Sequence, residues 1–255
     1  MNAQLEQCVL TPTVTVCLSG SGGQGLILAG RLLAEAAALH DGLDVIQTNS
    51  YGPEARGGAS RSEVVLGHGE IDVLHAPAVD VLVCLNQASC DAYYEHLVGR
   101  GLLITDADLV KVVPTTRALE VPMSALAREK AGNVMSANVV ALAVLSAVSN
   151  IISREALVAT IKERLPPALQ EGNLKAIAAG FAAAEEIFAG RDKSHPRRAA
   201  NSKGLFPDFS YLRQGTRPPQ GLLRGAASDS AASARAAVSR AEMLRGGNGR
   251  KPVGA

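Results

Sequence analysis

The sequence contains no tryptophan, and aromatic residues make up only 3% of its 255 positions. Apolar residues nevertheless reach 47%, so alanine, valine, leucine and isoleucine must supply the core. Small side chains of this kind let helices approach a parallel sheet closely. The composition therefore favours an α/β domain, and the chain is long enough for one large domain with an appendage.

Cysteine and metal-ligand patterns are also scarce. The four cysteines form no C-x-x-C pair; they are Cys8, Cys17, Cys84 and Cys90. An iron–sulfur cluster usually needs four closely spaced thiolates, so we expect none on this chain. We expect Cys17 and Cys84 to be small core residues in a reducing cytoplasm, because both lie in apolar runs. The five histidines show no metal-ligand spacing, which predicts no metal site.

Long apolar runs are missing, and charge is divided unevenly along the chain. No run reaches about 18 apolar residues and no charged leader precedes one, so we expect neither a membrane span nor secretion. Residues 191–255 hold 13 Lys and Arg against 4 Asp and Glu, a net +9, which leaves residues 1–190 at −8. The basic residues are scattered without stacking aromatics, which argues against nucleic-acid binding. Either the tail docks on an acidic partner, or it is simply a free basic tail.

The hydrophobic pattern predicts alternating strands and helices. The predicted strands cover 14–19, 44–48, 62–66, 81–85, 102–105 and 118–121. The predicted helices cover 26–39, 88–98, a segment from Ser124, 136–148, 153–165 and 169–188. Ser136 and Ser153 are the expected N-caps of two of these helices. The fold class predicted is α/β: a three-layer, Rossmann-like, open and mostly parallel sheet with a C-terminal helical segment and an extended basic tail.

The predicted domain spans residues 14–190, after an N-terminal extension over 1–13. Residues 191–255 form a basic, low-complexity extension that we expect to dock on another subunit. We expect most of residues 195–225 to be extended or loop-like, and residues 226–244 to form a lone polar helix. Five apolar residues of this extension are the expected anchors on that subunit: Leu205, Phe206, Phe209, Tyr211 and Leu212.

A glycine-rich turn follows the first predicted strand. Residues 20–25, GSGGQG, satisfy the G-x-G-x-x-G pattern between a strand and a helix. Gly20 would permit the tight turn, Gly22 a close ligand approach, and Gly25 close packing of helix on strand. The amides at the helix start would then face a phosphate or pyrophosphate. A purely structural role for these glycines is the alternative.

The second predicted strand argues against an NAD site. An acidic residue at its tip would hold the ribose, but the strand ends in Gln47, Thr48 and Asn49.

No G-x-S-x-G elbow is present, so we expect no catalytic nucleophile. Asn86 and Asp106 follow other strands, and we expect them to cap the segments that come next.

A second unusual loop, NSYGPEARGGAS at 49–60, follows the second strand at the ligand-binding edge of such sheets. Arg56 could hold a phosphate through two parallel hydrogen bonds, and Tyr51 could stack on a base or pack against a neighbouring chain. The alternative is an exposed loop with an Arg56–Glu54 pair. The predicted cofactor-binding residues are Gly20, Ser21, Gly22, Gly23, Gln24, Gly25, Ser50, Tyr51, Arg56, Gly57 and Gly58.

Several segments of the sequence resemble the gamma subunit of 2-oxoacid:ferredoxin oxidoreductases. They are the two loops, the AGRLLAEAA helix at 29–37 between them, and the NLKA sequence at 173–176 with Gly180. The resemblance covers residues 14–190. That family decarboxylates a 2-oxoacid on thiamine diphosphate, passes electrons through iron–sulfur clusters and usually transfers the acyl group to coenzyme A. The form SYGPEARGG is closer to the pyruvate, 2-oxoglutarate, branched-chain and phenylglyoxylate types than to the indolepyruvate type.

The resemblance implies a subunit that is inactive alone and binds coenzyme A at or near this chain. Thiamine diphosphate, its magnesium and the [4Fe-4S] clusters would lie on alpha, beta and ferredoxin-like delta subunits. The acceptor is open between ferredoxin and NAD, and an additional flavin or electron-transfer subunit could contact the basic tail. A non-catalytic scaffold subunit and a free-standing nucleotide-binding reductase are the alternatives.

Overall fold

Six strands form the centre of the molecule. The computed structural model describes residues 13–51, 59–71, 78–194 and 206–216. The strands are β1 (Val14–Ser21), β2 (Asp44–Tyr51), β3 (Ala59–Gly67), β4 (Val79–Cys84), β5 (Leu97–Asp106) and β6 (Leu119–Val121). They form one sheet in the order β2-β3-β1-β4-β5-β6, parallel from β1 through β6 and antiparallel around β3. The predicted mostly parallel, Rossmann-like sheet is confirmed.

Seven helices accompany the strands in the described ranges. They are α1 (Leu26–Leu39), α2 (Gln87–Tyr93), α3 (Met123–Ala131), α4 (Ala137–Ser149), α5 (Arg154–Arg164), α6 (Pro167–Ser194) and α7 (Ser210–Gln214). The predicted bounds of α1 are confirmed. The prediction of a helix to residue 98 is wrong, because α2 ends at Tyr93 and β5 already begins at Leu97. None of these helices is long and apolar enough to cross a membrane.

Strand β3 lies between β1 and β2, which are therefore not neighbours. The connection from β2 to β3, residues 52–58, is too short for the crossover helix that parallel neighbours need. The two strands consequently pair antiparallel, with Tyr51 opposite Ser60 and Asp44 opposite Gly67.

Helix α4 forms the centre of the helical layer, and each of its residues except Ala147 is buried. It packs against α6 at Gly180. A methyl group at Gly180 would lie 2.6 Å from Ala143 Cβ and 2.7 Å from the Val140 carbonyl oxygen. The two helix backbones therefore pack so closely that no large aromatic side chain is needed to fill the space between them.

The two predicted N-caps differ in outcome. Ser153 caps α5, since its hydroxyl accepts a hydrogen bond from Ala156 N at 3.1 Å. Ser136 occupies the N-cap position of α4, as predicted, but its side chain makes no capping hydrogen bond. A 3₁₀ turn over Val134–Ser136 precedes α4 instead, and Asn133 caps that turn by accepting from Met135 N at 2.9 Å.

Residues 206–216, here named the clasp, pack on the chain's own core. Four of its residues are buried in that core: Phe206, Phe209, Tyr211 and Leu212. Phe209 N donates to Ser149 O at 2.8 Å, and Arg213 Nε donates to Asn150 O at 3.0 Å. The expectation that these four residues anchor on another subunit is therefore wrong, because their apolar surface is already covered within this chain. Leu205 and 226–244 lie outside the described residues, and docking by the rest of the extension stays a prediction.

The clasp packs against one end of the strands of the sheet. The Leu212 carbonyl oxygen is hydrogen-bonded to the His68 ring, just after β3 ends. Burial raises the pKa of Tyr211, and the nearby Asp80 carboxylate raises it further. Burial also raises the pKa of Asp80, which accepts from Thr15 N at 2.8 Å near the starts of β4 and β1. The clasp thus lies where β1 and β4 begin, opposite the edge where the two glycine loops emerge.

Candidate functional site

The strand register brings the two glycine loops to one edge of the sheet. Gly20 at the end of β1 is opposite Ser60 on β3, and Ser60 is opposite Tyr51 at the end of β2. Because neighbouring strands lie about 4.8 Å apart, the backbones of Gly20 and Tyr51 are separated by roughly 10 Å. The loop over 52–58 starts and ends beside the turn over 20–25. Three predicted site residues, Arg56, Gly57 and Gly58, lie outside the described residues.

The glycine turn also lies at the point where the chain changes faces of the sheet. Helix α1 shares one core cluster with Leu18 and Val83. Cys90 of α2 shares a different cluster with Cys17 and Leu82, on the opposite face. Adjacent strands β1 and β4 therefore send their connections to opposite faces, the arrangement that places a crevice between strand ends in open α/β sheets. Open α/β sheets bind ligands at such a switch point.

The start of α1 follows the glycine turn directly. Gly25 precedes the helix with φ +71°, a left-handed conformation that suits glycine, and offers no side-chain cap. The first turn of the helix holds no acidic residue. The N–H groups of Leu26, Ile27 and Leu28 have no intrahelical acceptor and lie at the positive end of the helix dipole. Gly22 is exposed, and a methyl group added there would meet no atom within 4 Å.

Gln24 holds the turn in place. Its Oε1 accepts from Ser21 N at 2.7 Å and from Ser21 Oγ at 3.1 Å. Its Nε2 donates to Leu85 O at 3.2 Å, across the crevice between β1 and β4. The side chains of Gln24 and Ser21, both predicted to contact a ligand, are thus bonded to the chain itself. Backbone amides are the groups that this turn presents to the crevice.

β2 runs to Tyr51, past the predicted end near Asn49, and it has no acidic residue after Asp44, unlike the second strand of an NAD site. Gln47, near the position where an acidic residue would hold a ribose, donates from Nε2 to Ile27 O at 3.2 Å and to Ser62 Oγ at 3.0 Å. These bonds fix α1 against β3, and Gly30 allows the close approach because a methyl there would overlap Ser62. Gln47 therefore has a structural role at the place where an NAD enzyme uses a carboxylate.

Three buried thiols lie on the face of the sheet opposite α1: Cys17 and Cys84 on the strands, and Cys90 on α2. Burial raises the pKa of Cys17 to about 12. A hydrogen bond to Cys90, together with burial, raises the pKa of Cys84, and the same bond lowers the pKa of Cys90. The Cys17 and Cys84 thiols stay protonated at neutral pH, and the prediction that they are small core residues is confirmed.

The family model for pyruvate ferredoxin/flavodoxin oxidoreductase matches residues 15–183. The chain belongs to this family. It is 41% identical over 174 residues to the 2-oxoglutarate synthase subunit KorC of Methanocaldococcus jannaschii, a match that covers 67% of this chain and 93% of that protein. The predicted resemblance is confirmed.

Two solved structures show the same fold. A keto/oxoacid ferredoxin oxidoreductase gamma subunit from Geobacter sulfurreducens is 38% identical, with a TM-score of 0.63 over 69% of this chain and 98% of that one. The 2-oxoglutarate:ferredoxin oxidoreductase of Magnetococcus marinus, solved with 2-oxoglutarate, coenzyme A and succinyl-CoA, gives a TM-score of 0.60 at 22% identity. It covers 68% of this chain and 31% of that one, and at this identity it shows the fold alone.

Within this gamma-type subunit the strand-end polar residues have structural roles. Asn86 caps α2 by accepting from Ser89 N at 2.8 Å. Asp106 accepts from Asp108 N at 3.0 Å, in the turn that follows β5, and its other carboxylate oxygen accepts from Ser124 N at 2.9 Å in α3. Both predicted capping roles are confirmed.

The gamma subunit contains one residue at the site that sequence reasoning missed. Asn138, on α4, donates from Nδ2 to Gly25 O at 2.9 Å. Its signal in the sequence was a single amide in the otherwise apolar run 137–145. A buried amide in such a helix requires a partner, but nothing local identifies a partner 113 positions away.

Proposed function

We propose that this chain is the subunit that binds coenzyme A and maintains assembly contacts in a 2-oxoacid:ferredoxin oxidoreductase complex. Thiamine diphosphate, magnesium and the [4Fe-4S] clusters are then held by alpha, beta and ferredoxin-like delta subunits. The observation that carries the proposal is that the glycine turn and the strand ends at Tyr51 and Ala59 lie at one edge of the sheet, beside the uncapped start of α1. A helix start of this kind favours phosphate groups.

The proposed division of labour follows from the chemistry of coenzyme A, which has a pyrophosphate and a 3′-phosphate at one end. Backbone amides of the glycine turn and of the first turn of α1 bind the pyrophosphate. Arg56 binds the second phosphate, since a guanidinium matches phosphate geometry. Ser50 and Tyr51 border the same cleft from the end of β2. The bound molecule supplies the thiol that receives the acyl group, and this chain holds and orients it.

Replacing Gly22 by alanine distinguishes a binding site from a scaffold. The fold tolerates the methyl group, because Gly22 has no positive φ and nothing lies within 4 Å of the added atom. A phosphate that approaches this backbone closely does meet it. We expect the KM for coenzyme A to rise about tenfold in the assembled complex, which corresponds to about 1.4 kcal/mol, near the worth of one charge-assisted hydrogen bond.

The KM for the 2-oxoacid and the thermal midpoint of the Gly22→Ala complex provide the internal controls, and both should match wild type. An unchanged KM for coenzyme A would favour the scaffold alternative, in which the glycine loops only shape subunit contacts.

The 2-oxoacid is proposed to be 2-oxoglutarate, because the KorC relative, a 2-oxoglutarate synthase subunit, matches over 93% of its own length. The native complex, co-purified and assayed with a viologen dye, should show its highest kcat/KM with 2-oxoglutarate among a panel that includes pyruvate, branched-chain 2-oxoacids and phenylglyoxylate. The isolated chain should turn over none of them. Turnover by the single chain, or preference for another panel member, would contradict this part of the proposal.

A further inference from the structure

Asn138 is a buried amide at the start of an apolar helix. It is the second residue of α4 and only 4% exposed, with Ala137, Val139 and Val140 beside it in the core. Burying an amide without a hydrogen-bond partner is costly, so the bond it makes constrains its position. That bond goes to Gly25 O, in the turn that precedes α1.

The carbonyl that Asn138 binds belongs to the peptide joining Gly25 to Leu26. The same oxygen accepts the first intrahelical hydrogen bond, from Ala29 N at 2.9 Å. In a planar trans peptide the N–H points opposite to the C=O. With the Gly25 carbonyl directed into the protein, the N–H of Leu26 is directed out of the helix start.

Gly25 and Asn138 are matched to each other in shape as well as in polarity. A methyl group on Gly25 would overlap the Asn138 side-chain nitrogen, so the amide packs directly against the Cα of this glycine. Glycine leaves the backbone more conformational freedom than any other residue, and a helix end tends to fray. A second bond from a rigid helix therefore restricts a peptide that would otherwise be the loosest part of the turn.

We propose that Asn138 is a positioning residue that fixes the direction of the backbone donors at the start of α1. This inference rests on the proposed function, because it assigns to α4 a role in coenzyme A binding without contact with the ligand. Gln24 holds the other end of the turn, where it accepts from Ser21 N. The turn is thus held from the strand side by Gln24 and from the helix side by Asn138.

The test uses Asn138→Asp and Asn138→Ala in the assembled complex. A carboxylate cannot donate to the Gly25 carbonyl and repels it, whereas alanine removes the donor without adding charge. We expect the KM for coenzyme A to rise about fivefold to tenfold in both variants, because one hydrogen bond is lost, while the KM for 2-oxoglutarate stays within twofold of wild type. Amide hydrogen exchange in the peptide over 20–29, measured on the full-length subunit, should become faster.

Asn133→Asp is the matched control, since it makes the same substitution one turn earlier. The Asn133 side chain acts only as an acceptor from Met135 N in its own turn, and a carboxylate keeps that bond. This variant should leave both KM values and the exchange rate unchanged. A kcat lowered with all KM values preserved would indicate a general structural role and would overturn the inference for Asn138.

Two outcomes separate this inference from the proposed function. If Gly22→Ala raises the KM for coenzyme A but both Asn138 variants leave it and the exchange rate at wild-type values, the positioning role is wrong and the binding site stands. If the Asn138 variants speed exchange in 20–29 while no variant changes the KM for coenzyme A, Asn138 orders the turn, but the binding role, and with it this inference, is overturned.

Discussion

Gly180→Ala is expected to lower the free energy of unfolding by about 2 kcal/mol, although alanine is the better helix former. The added methyl would lie 2.6 Å from Ala143 Cβ and 2.7 Å from the Val140 carbonyl oxygen. Neither neighbour can move alone, because one is a helix methyl and the other is helix backbone, so α4 and α6 must separate. Chemical denaturation of the full-length subunit, followed by circular dichroism, measures the change.

Gly172→Ala is the control on the same helix. An added methyl there meets only the Ala131 carbonyl oxygen, at 3.4 Å. Helix propensity should therefore dominate and raise the free energy of unfolding by up to about 1 kcal/mol. Opposite signs for the two substitutions are the expected result. A stabilising effect at Gly180 would show that the two helices are not in the close contact described here.

Phe209→Ala is expected to destabilise the subunit by about 3–5 kcal/mol, because removal of a buried phenyl ring leaves a cavity in the core. Phe209 is 3% exposed and lies against Tyr211, with ring centroids 6.3 Å apart. Its backbone N–H is bonded to Ser149 O at the end of α4, so the clasp cannot easily shift to fill the space. Thermal and urea unfolding of the full-length subunit should both report the loss.

Tyr211→Phe provides the contrast within the clasp. The Tyr211 hydroxyl is buried and has no hydrogen-bond partner among the described residues. Removing an unsatisfied buried hydroxyl while keeping the ring should be neutral or slightly stabilising. A loss from Phe209→Ala of less than 1 kcal/mol would contradict the packing of the clasp on the core.

The local sequence pattern predicted helices and strands well where an apolar run or a bounding turn of neighbouring residues defines the element. The α1 bounds followed from a helical pattern rich in Leu and Ala between the glycine turn and Gly42, and the apolar runs at 14–19 and 81–85 correspond to β1 and β4. Strand order is not a local property, so the insertion of β3 between β1 and β2 was missed. The predicted strands left residues 49–61 between them, about the dozen that a parallel crossover needs, whereas the observed strands extend further and leave only residues 52–58.

The candidate site was predictable in backbone but not in side-chain contacts. The pattern GSGGQG predicts a turn at a strand end, and β1 and the start of α1 bear this out. Gln24 bonds to Leu85, just after β4, and Asn138 bonds to Gly25; the corresponding sequence separations are 61 and 113 positions. Contacts over such distances depend on how helices and sheet pack, which the identities of neighbouring residues do not determine.

The clasp has a consequence for how the protein is made. Its bonds join residues far apart in the sequence: Leu212 to His68 over 144 positions, and Arg213 to Asn150 over 63. A nascent chain therefore cannot close its core when the sheet and α6 have left the ribosome, and must wait until residue 212 emerges. During that interval apolar surface stays open to solvent, a stage at which chaperones bind and aggregation begins.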